Sequence, residues 1–244
     1  MTMKDDLQKW DLRKLIRSPY AVGLLGVLVI VLVALLGISQ SKIHTEQSQV
    51  THSVGELLPA TAVGQTFIAD YDGLASVGVK LGTYTRDNTG PLVLHLLRDT
   101  EEVVTVTEDA ADVEDLDYLV FEFSPVLDSA GGAFYFYLEA PEAEPGNAIT
   151  VFGYEAEDIY ADGTAVFEGL HGNGVKDLAF RLDYQPPLLE KAGIVVERLA
   201  ASKPSLWGDR QFYLVLGLLY LGGLYGLFVQ FVRAGDADGG DSDA

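Results

Sequence analysis

The chain has 244 residues, 48% of them hydrophobic, and its 36 acidic against 16 basic side chains leave a formal charge of −20 at pH 7. A surface of that sign repels phosphate backbones and anionic headgroups, which sets nucleic-acid binding aside. The absence of cysteine excludes disulfides, thiolate metal sites and a lipoprotein anchor, and leaves the fold to packing.

Residues 1–19 form a leader whose basic groups are Lys4, Lys9, Arg13, Lys14 and Arg17, against three acidic ones. Residues 20–38 (YAVGLLGVLVIVLVALLGI) then carry no charge. A helix rising about 1.5 Å per residue needs about 20 residues to cross about 30 Å of hydrocarbon. The run has that length and offers no polar face, so a transmembrane helix is expected rather than a buried core helix. It exceeds the roughly 7–15-residue apolar core of a cleaved signal, which favours an uncleaved anchor. Ala34, Gly37 and Ser39 leave cleavage as the alternative. Only Lys42 lies close on the far side, so the positive-inside bias holds the leader in the cytoplasm and sends the central segment outside the cytoplasmic membrane.

Residues 39–63 read as a linker. From residue 64 to residue 185 the hydrophobic period becomes two, and strand candidates fall at 65–70, 76–85, 91–98, 102–107, 118–124, 133–140, 147–155, 164–169 and 177–184. Val77, Val79, Leu81 and Tyr84 alternate with Ser76, Gly78 and Lys80, as in a half-buried strand. Turn signals such as Asp87-Asn88-Thr89-Gly90 and Pro145-Gly146-Asn147 separate the strands. About nine short strands without a long helical pattern predict a mainly β ectodomain, a jelly-roll β-sandwich inserted between two transmembrane helices.

Three stretches carry a resemblance: the opening GQTFIADYDGLASVGVKL, the later FEFSPVLDSAGGAFYFYLEAP and the closing KDLAFRLDY. Together they resemble the galactose-binding-like, carbohydrate-binding-like jelly rolls of prokaryotic envelope proteins. The likeness covers about half of the chain and is one of framework rather than of ligand residues. It implies a non-enzymatic protein that displays a sandwich at the cell envelope and binds a glycan or an envelope partner.

Within the sandwich, the acidic segment 108–117 is the calcium candidate, with Asp109, Asp112, Glu114, Asp115 and Asp117 as its oxygen donors. It lacks the spacing and central glycine of an EF-hand, and its plain alternative is a solvated connection. Strand 133–140 places Phe134 and Phe136 on one face and Tyr135 and Tyr137 on the other. One face must be core; the other is either an aromatic platform for a sugar ring or the outer face of a sheet. The histidines (His44, His52, His95, His171) lie in separate segments without metal-ligand spacing. No nucleophile elbow, P-loop or dinucleotide fingerprint occurs, so no catalytic residue and no organic cofactor are assigned.

Residues 186–210 form an amphipathic juxtamembrane linker. After Pro186-Pro187, the side chains of Leu188, Leu189, Ala192, Val195, Val196 and Leu199 share one helical face. Packing on the sandwich and lying on the membrane both explain that face. Residues 211–232 are the second uncharged run and return the chain to the cytoplasm, with Trp207, Phe212 and Tyr213 at one boundary and Phe228 and Phe231 at the other. In it Gly222 and Gly226 make a small-xxx-small step that lets helix backbones approach, within the hairpin or against another subunit. Neither span carries an ionisable group, which argues against a transporter or channel. The acidic tail 233–244 is expected to be disordered.

Two rivals to the display reading remain. One is a structural accessory subunit of a larger membrane protein complex, with the spans as its interface. The other is a polysaccharide co-polymerase-like regulator, which shares the two-span plan but has a displayed domain rich in long helices.

Overall fold

The computed structural model describes residues 18–201 and 203–238. The basic leader cluster and the last six residues of the acidic tail lie outside them. Lys42–Pro187 forms one unit, and the helices on either side of it in the chain form another.

The β unit holds twelve strands: β1 (Ile43–Gln47), β2 (His52–Glu56), β3 (Ala62–Ile68), β4 (Leu74–Gly82), β5 (Pro91–Arg98), β6 (Glu101–Asp109), β7 (Tyr118–Val126), β8 (Ala133–Glu139), β9 (Thr150–Tyr154), β10 (Ala165–Glu168), β11 (Asp177–Leu178) and β12 (Phe180–Tyr184). One sheet runs β1-β12-β4-β9-β11, with β7 on the other edge of β4 and β2 on β9; the second runs β10-β3-β8-β5-β6. All pairings are antiparallel. Between β3 and β10 the chain changes sheet at every connection except the β5–β6 hairpin. The order β1-β12-β4-β7 facing β3-β8-β5-β6 is that of a jelly roll.

The core grows out of the alternation. Phe67, Phe134, Phe136, Leu92, Leu94, Leu96 and Leu138 point inward from the five-stranded sheet, and Leu74, Val77, Val79, Leu81, Phe121, Phe180 and Leu182 from the other; each is 2% exposed or less. Phe180 joins the layers, its ring centroid 5.8 Å from Phe136 and 6.4 Å from Phe67. Full burial of each such side chain stabilises by about 1.5–3 kcal/mol.

Three expectations need correction. The stretch 39–63 is not a linker, because β1 pairs with β12 and β2 with β9. These strands bring few apolar side chains, chiefly the buried Ile43 and Val54, so alternation hardly marks them. The segment 76–85 ends as a strand at Gly82; Tyr84 and Thr85 take positive φ values of 55° and 58°, which ends the ladder. The segment 177–184 is two strands. Ala179 divides it, donating to the Phe152 carbonyl at 2.8 Å and accepting from the Lys80 N–H at 2.9 Å, so the chain passes from β9 to β4 at that residue.

With β1 and β2 in the sheet, a fragment from Lys42 to Pro187 should fold with a β-type circular dichroism spectrum. One that starts at Thr61 loses two paired strands and the burial of Ile43, Val54 and Leu57, about 1.5–3 kcal/mol for each side chain, and should unfold at much lower urea. Equal urea midpoints would show that the first two strands contribute nothing.

The helical unit contains α1 (Pro19–Gln40), α2 (Leu188–Ala201) and α3 (Arg210–Asp238). α1 and α3 are long and apolar enough to cross a membrane. α3 runs past residue 233 into the stretch expected to be disordered, since a formed helix adds one bond for each further residue fixed. The two helices meet where α1 is small. A Cβ on Gly23 would lie 3.0 Å from Val229 Cγ2, and one on Gly26 only 2.8 Å from Phe228 Cε2. The Arg233 guanidinium donates to the Tyr20 hydroxyl and lies over its ring. Gly222 and Gly226 take no part in this pairing: a Cβ on either meets nothing within 4 Å. Their small-residue step faces away from α1.

Candidate functional site

The outer face of the five-stranded sheet gathers the polar and aromatic groups that the core excludes. Strand β8 turns Phe134, Phe136 and Leu138 inward and Tyr135, Tyr137 and Glu139 outward. Pairing sets Tyr137 between Gly64 of β3 and His95 of β5, with Thr105 of β6 opposite His95. Tyr135 falls between Thr66 and Leu97.

The rings of this face stack sideways. His95 lies 4.6 Å from Tyr137 with planes 9° apart, and Tyr135 lies 5.6 Å from Tyr137 with planes 25° apart. Gly64 makes the arrangement feasible: a Cβ there would sit 2.7 Å from Tyr135 Cε2 and 2.8 Å from Tyr137 Cβ. Because both faces of Tyr137 are occupied, the row offers ring edges and hydroxyls to solvent more than open faces.

Carboxylates border the row. Glu102 Oε2 lies 2.9 Å from His95 Nδ1, Glu102 Oε1 accepts from the Thr105 hydroxyl at 2.6 Å, and Glu139 Oε2 lies 3.8 Å from His95 Nε2. The Thr105 and His95 hydrogen bonds hold the Glu102 carboxyl below its ordinary range. Burial, then Glu168 and Tyr137, pushes the Tyr135 phenol up to about 12. Burial, then Glu139, Glu102 and Glu168, raises Tyr137 as well. Like any phenol, both are protonated at neutral pH and can donate as well as accept. Donor phenols beside acceptor carboxylates and an imidazole suit a ligand rich in hydroxyl groups.

The structure brings Tyr135 and Tyr137 together, as the alternation of β8 implies, and adds His95, Glu102, Glu139, Thr105 and Gly64. In the sequence His95 stands isolated. The pattern of residues 91–98 turns it outward, but only the β5–β8 register shows which ring it meets.

The acidic segment is arranged otherwise. Asp109 accepts from the Ala111 N–H at 3.0 Å at the head of a 3-10 turn. Asp115 accepts from the Thr83 N–H at 2.7 Å and its hydroxyl at 3.2 Å, and Asp117 from the Tyr118 N–H at 2.7 Å. Among the described residues no three His, Asp or Glu side chains are grouped to hold a metal ion. A cavity lined by Asn88, Pro91, Ala110 and Ala143 has about 10 Å³ of space, room for one water and too little for a sugar.

No protein-family model matches the sequence, and no curated protein matches it. Among solved structures the chain is similar to a Paenibacillus sp. cycloisomaltooligosaccharide glucanotransferase complexed with cycloisomaltoheptaose. The identity is 13% and the TM-score 0.26, over 46% of this chain and 16% of that one. It is also similar to the carbohydrate-binding module CBM36 in complex with calcium and xylotriose, at 13% identity and a TM-score of 0.24, over 52% of this chain and 99% of that one. The chain thus spans a small part of the glucanotransferase. At these TM-scores neither likeness extends what the strand pairing already establishes.

Proposed function

We propose that this is a non-enzymatic, membrane-anchored protein that displays its jelly roll outside the cytoplasmic membrane and binds a glycan on the outer face of the five-stranded sheet. The observation that carries the reading is the row His95–Tyr137–Tyr135 bordered by Glu102 and Glu139, which lines up hydrogen-bonding groups on a face the core does not need. The length and composition of α1 and α3 support the anchor, and the basic leader supports cytoplasmic termini.

The test is glycan binding by the full chain in lipid nanodiscs, against neutral oligosaccharides, amino sugars and uronates. Tyr137→Ala removes a phenol and Glu102→Gln a charged acceptor from the row. Affinity should fall about tenfold or more, while His171→Ala, on a separate loop, leaves it unchanged. Undiminished binding by both variants would move the site elsewhere.

A second reading, a structural subunit of a larger membrane complex, has one observation in its favour. Gly222 and Gly226 leave a smooth, open flank on α3, the kind of surface on which another helix packs closely. A fixed set of membrane proteins recovered with the chain in mild detergent, with no glycan bound, would put this reading first.

A further inference from the structure

We infer that α2 and the turn Ser205–Gly208 lie in the membrane–water interface, with their apolar side against lipid, so that the anchor is two spans and a surface helix. This rests on the proposal that α1 and α3 cross the membrane.

The level of α2 is set by contacts inside the helical unit. Lys191 Nζ donates at 2.7 Å to the carbonyl of Ser39, in the last turn of α1. Ile194 and Ala200 are the buried residues of α2. The Lys203 N–H closes onto the Ala200 carbonyl at 2.9 Å, and the 3-10 turn then delivers the chain to Arg210, the first residue of α3. α2 is therefore held beside the end of one apolar helix and the start of the other, at the height where a bilayer's hydrocarbon gives way to headgroups.

Large apolar side chains near both ends of α2 and in the turn stand exposed, while Ala192, Val195 and Val196 between them are partly covered. Leu189 is 86% exposed, Leu199 50%, and in the turn Leu206 is 67% and Trp207 54% exposed. In water each forgoes most of the free energy that burial of a large apolar side chain provides. Placed at the ends of two apolar helices, the same side chains enter the acyl boundary without any further partner.

The residues around them are the types that settle there. Trp207 lies 4.9 Å from Phe212, and Phe212 lies 5.6 Å from Tyr213. The Tyr213 hydroxyl donates to the Trp207 carbonyl at 2.9 Å, and Lys203 Nζ is 5.5 Å from the Tyr213 ring. Aromatic rings with a polar tip and a lysine with a long apolar stem partition to the interface, with the polar end in the headgroups. Glu197 and Arg198, a charged pair of α2, are both exposed. Exposed leucines, a fixed height and an aromatic–basic belt converge on one occupant, the lipid surface.

The chain has no cysteine, so single spin labels can be placed without background. Leu189→Cys, Leu199→Cys, Glu197→Cys and Leu218→Cys would be labelled in the full chain and reconstituted in phosphatidylcholine vesicles. Accessibility to dissolved oxygen is then compared with accessibility to a water-soluble nickel chelate. At 189 and 199 the oxygen-to-nickel ratio should be several-fold higher than at 197. A ratio at 189 and 199 equal to that at 197 overturns the inference, and so does exclusion of both reagents there, which would mean that protein covers these leucines. Position 218 separates the premises. If it is oxygen-accessible while 189 is aqueous, the spans stand and the surface helix falls; if 218 is itself aqueous, the anchor falls too.

Discussion

Asp177→Ala is expected to destabilise the β unit by about 3–5 kcal/mol, enough to unfold much of it at 37 °C. Asp177 is fully buried. One carboxylate oxygen accepts from Gln65 Nε2 at 3.2 Å, and the other from the N–H groups of Ile159 and Tyr160 at 3.0 and 3.2 Å. Gln65 Oε1 in turn accepts from the Leu178 N–H at 2.9 Å. This small network ties β3 of one sheet to β11 of the other and pins the loop that lays Tyr160 edge-on to Phe180 at 5.1 Å.

Alanine strands three donors in the interior, each at a cost of about 1–3 kcal/mol before water relieves some of it. Asp177→Asn keeps the shape but turns an N–H₂ toward donors on one side or the other, so a smaller loss of about 1–3 kcal/mol is expected. The β unit contains no tryptophan, since the two in the chain are Trp10 and Trp207. Tyrosine fluorescence and circular dichroism in urea are therefore the readouts. An alanine variant within about 1 kcal/mol of the parent would mean that the network contributes only an ordinary hydrogen bond.

That network was invisible in the sequence for a physical reason. Gln65 and Asp177 are 112 positions apart, and nothing local to either marks a buried polar residue. The strands were legible where one side is buried and the other open, which imposes a period of two on 91–98 and 133–139; 76–82 alternates in side-chain type although all of it except Lys80 is buried. Where a strand holds its place mainly by ladder bonds, as β1 and β2 do, that period fades and the stretch looks like a linker.

Tyr135 and Tyr137 were readable as a pair because alternation within one strand is local. Their neighbour His95 was not, because register between β5 and β8 is set by the whole sheet. In the acidic segment closely spaced carboxylates suggest an ion site, and the hydrogen bonds that Asp109, Asp115 and Asp117 accept from N–H groups are not marked by composition. In the helices, both apolar runs contain small-residue steps. Which step meets a neighbour depends on helix rotation, and the bulky Tyr225, Phe228 and Val229 select Gly23 and Gly26 over Gly222 and Gly226.

The orientation of the anchor should give an all-or-none result. With the native chain free of cysteine, single cysteines at Ser48, Thr164 and Ser242 can be probed in sealed cells with a membrane-impermeant maleimide, allowing for any outer barrier. Ser48 lies in the β1–β2 connection and Thr164 just before β10, both exposed, so folding does not shield them. Labelling at 48 and 164 and none at 242 until the cells are lysed is the expected pattern. The flank of α1 decides it. Arg13, Lys14 and Arg17 precede that helix and only Lys42 lies close beyond it, whereas Arg210 and Arg233 balance each other across α3. Replacing Arg13, Lys14 and Arg17 with glutamine removes the bias, and a mixed population with partial labelling at 242 should appear. Full labelling at Ser242 in the unmodified leader background would place the tail outside and remove the two-span hairpin. Full protection at all three positions would put the jelly roll in the cytoplasm, where the Tyr135–Tyr137 face would have no envelope glycan to meet.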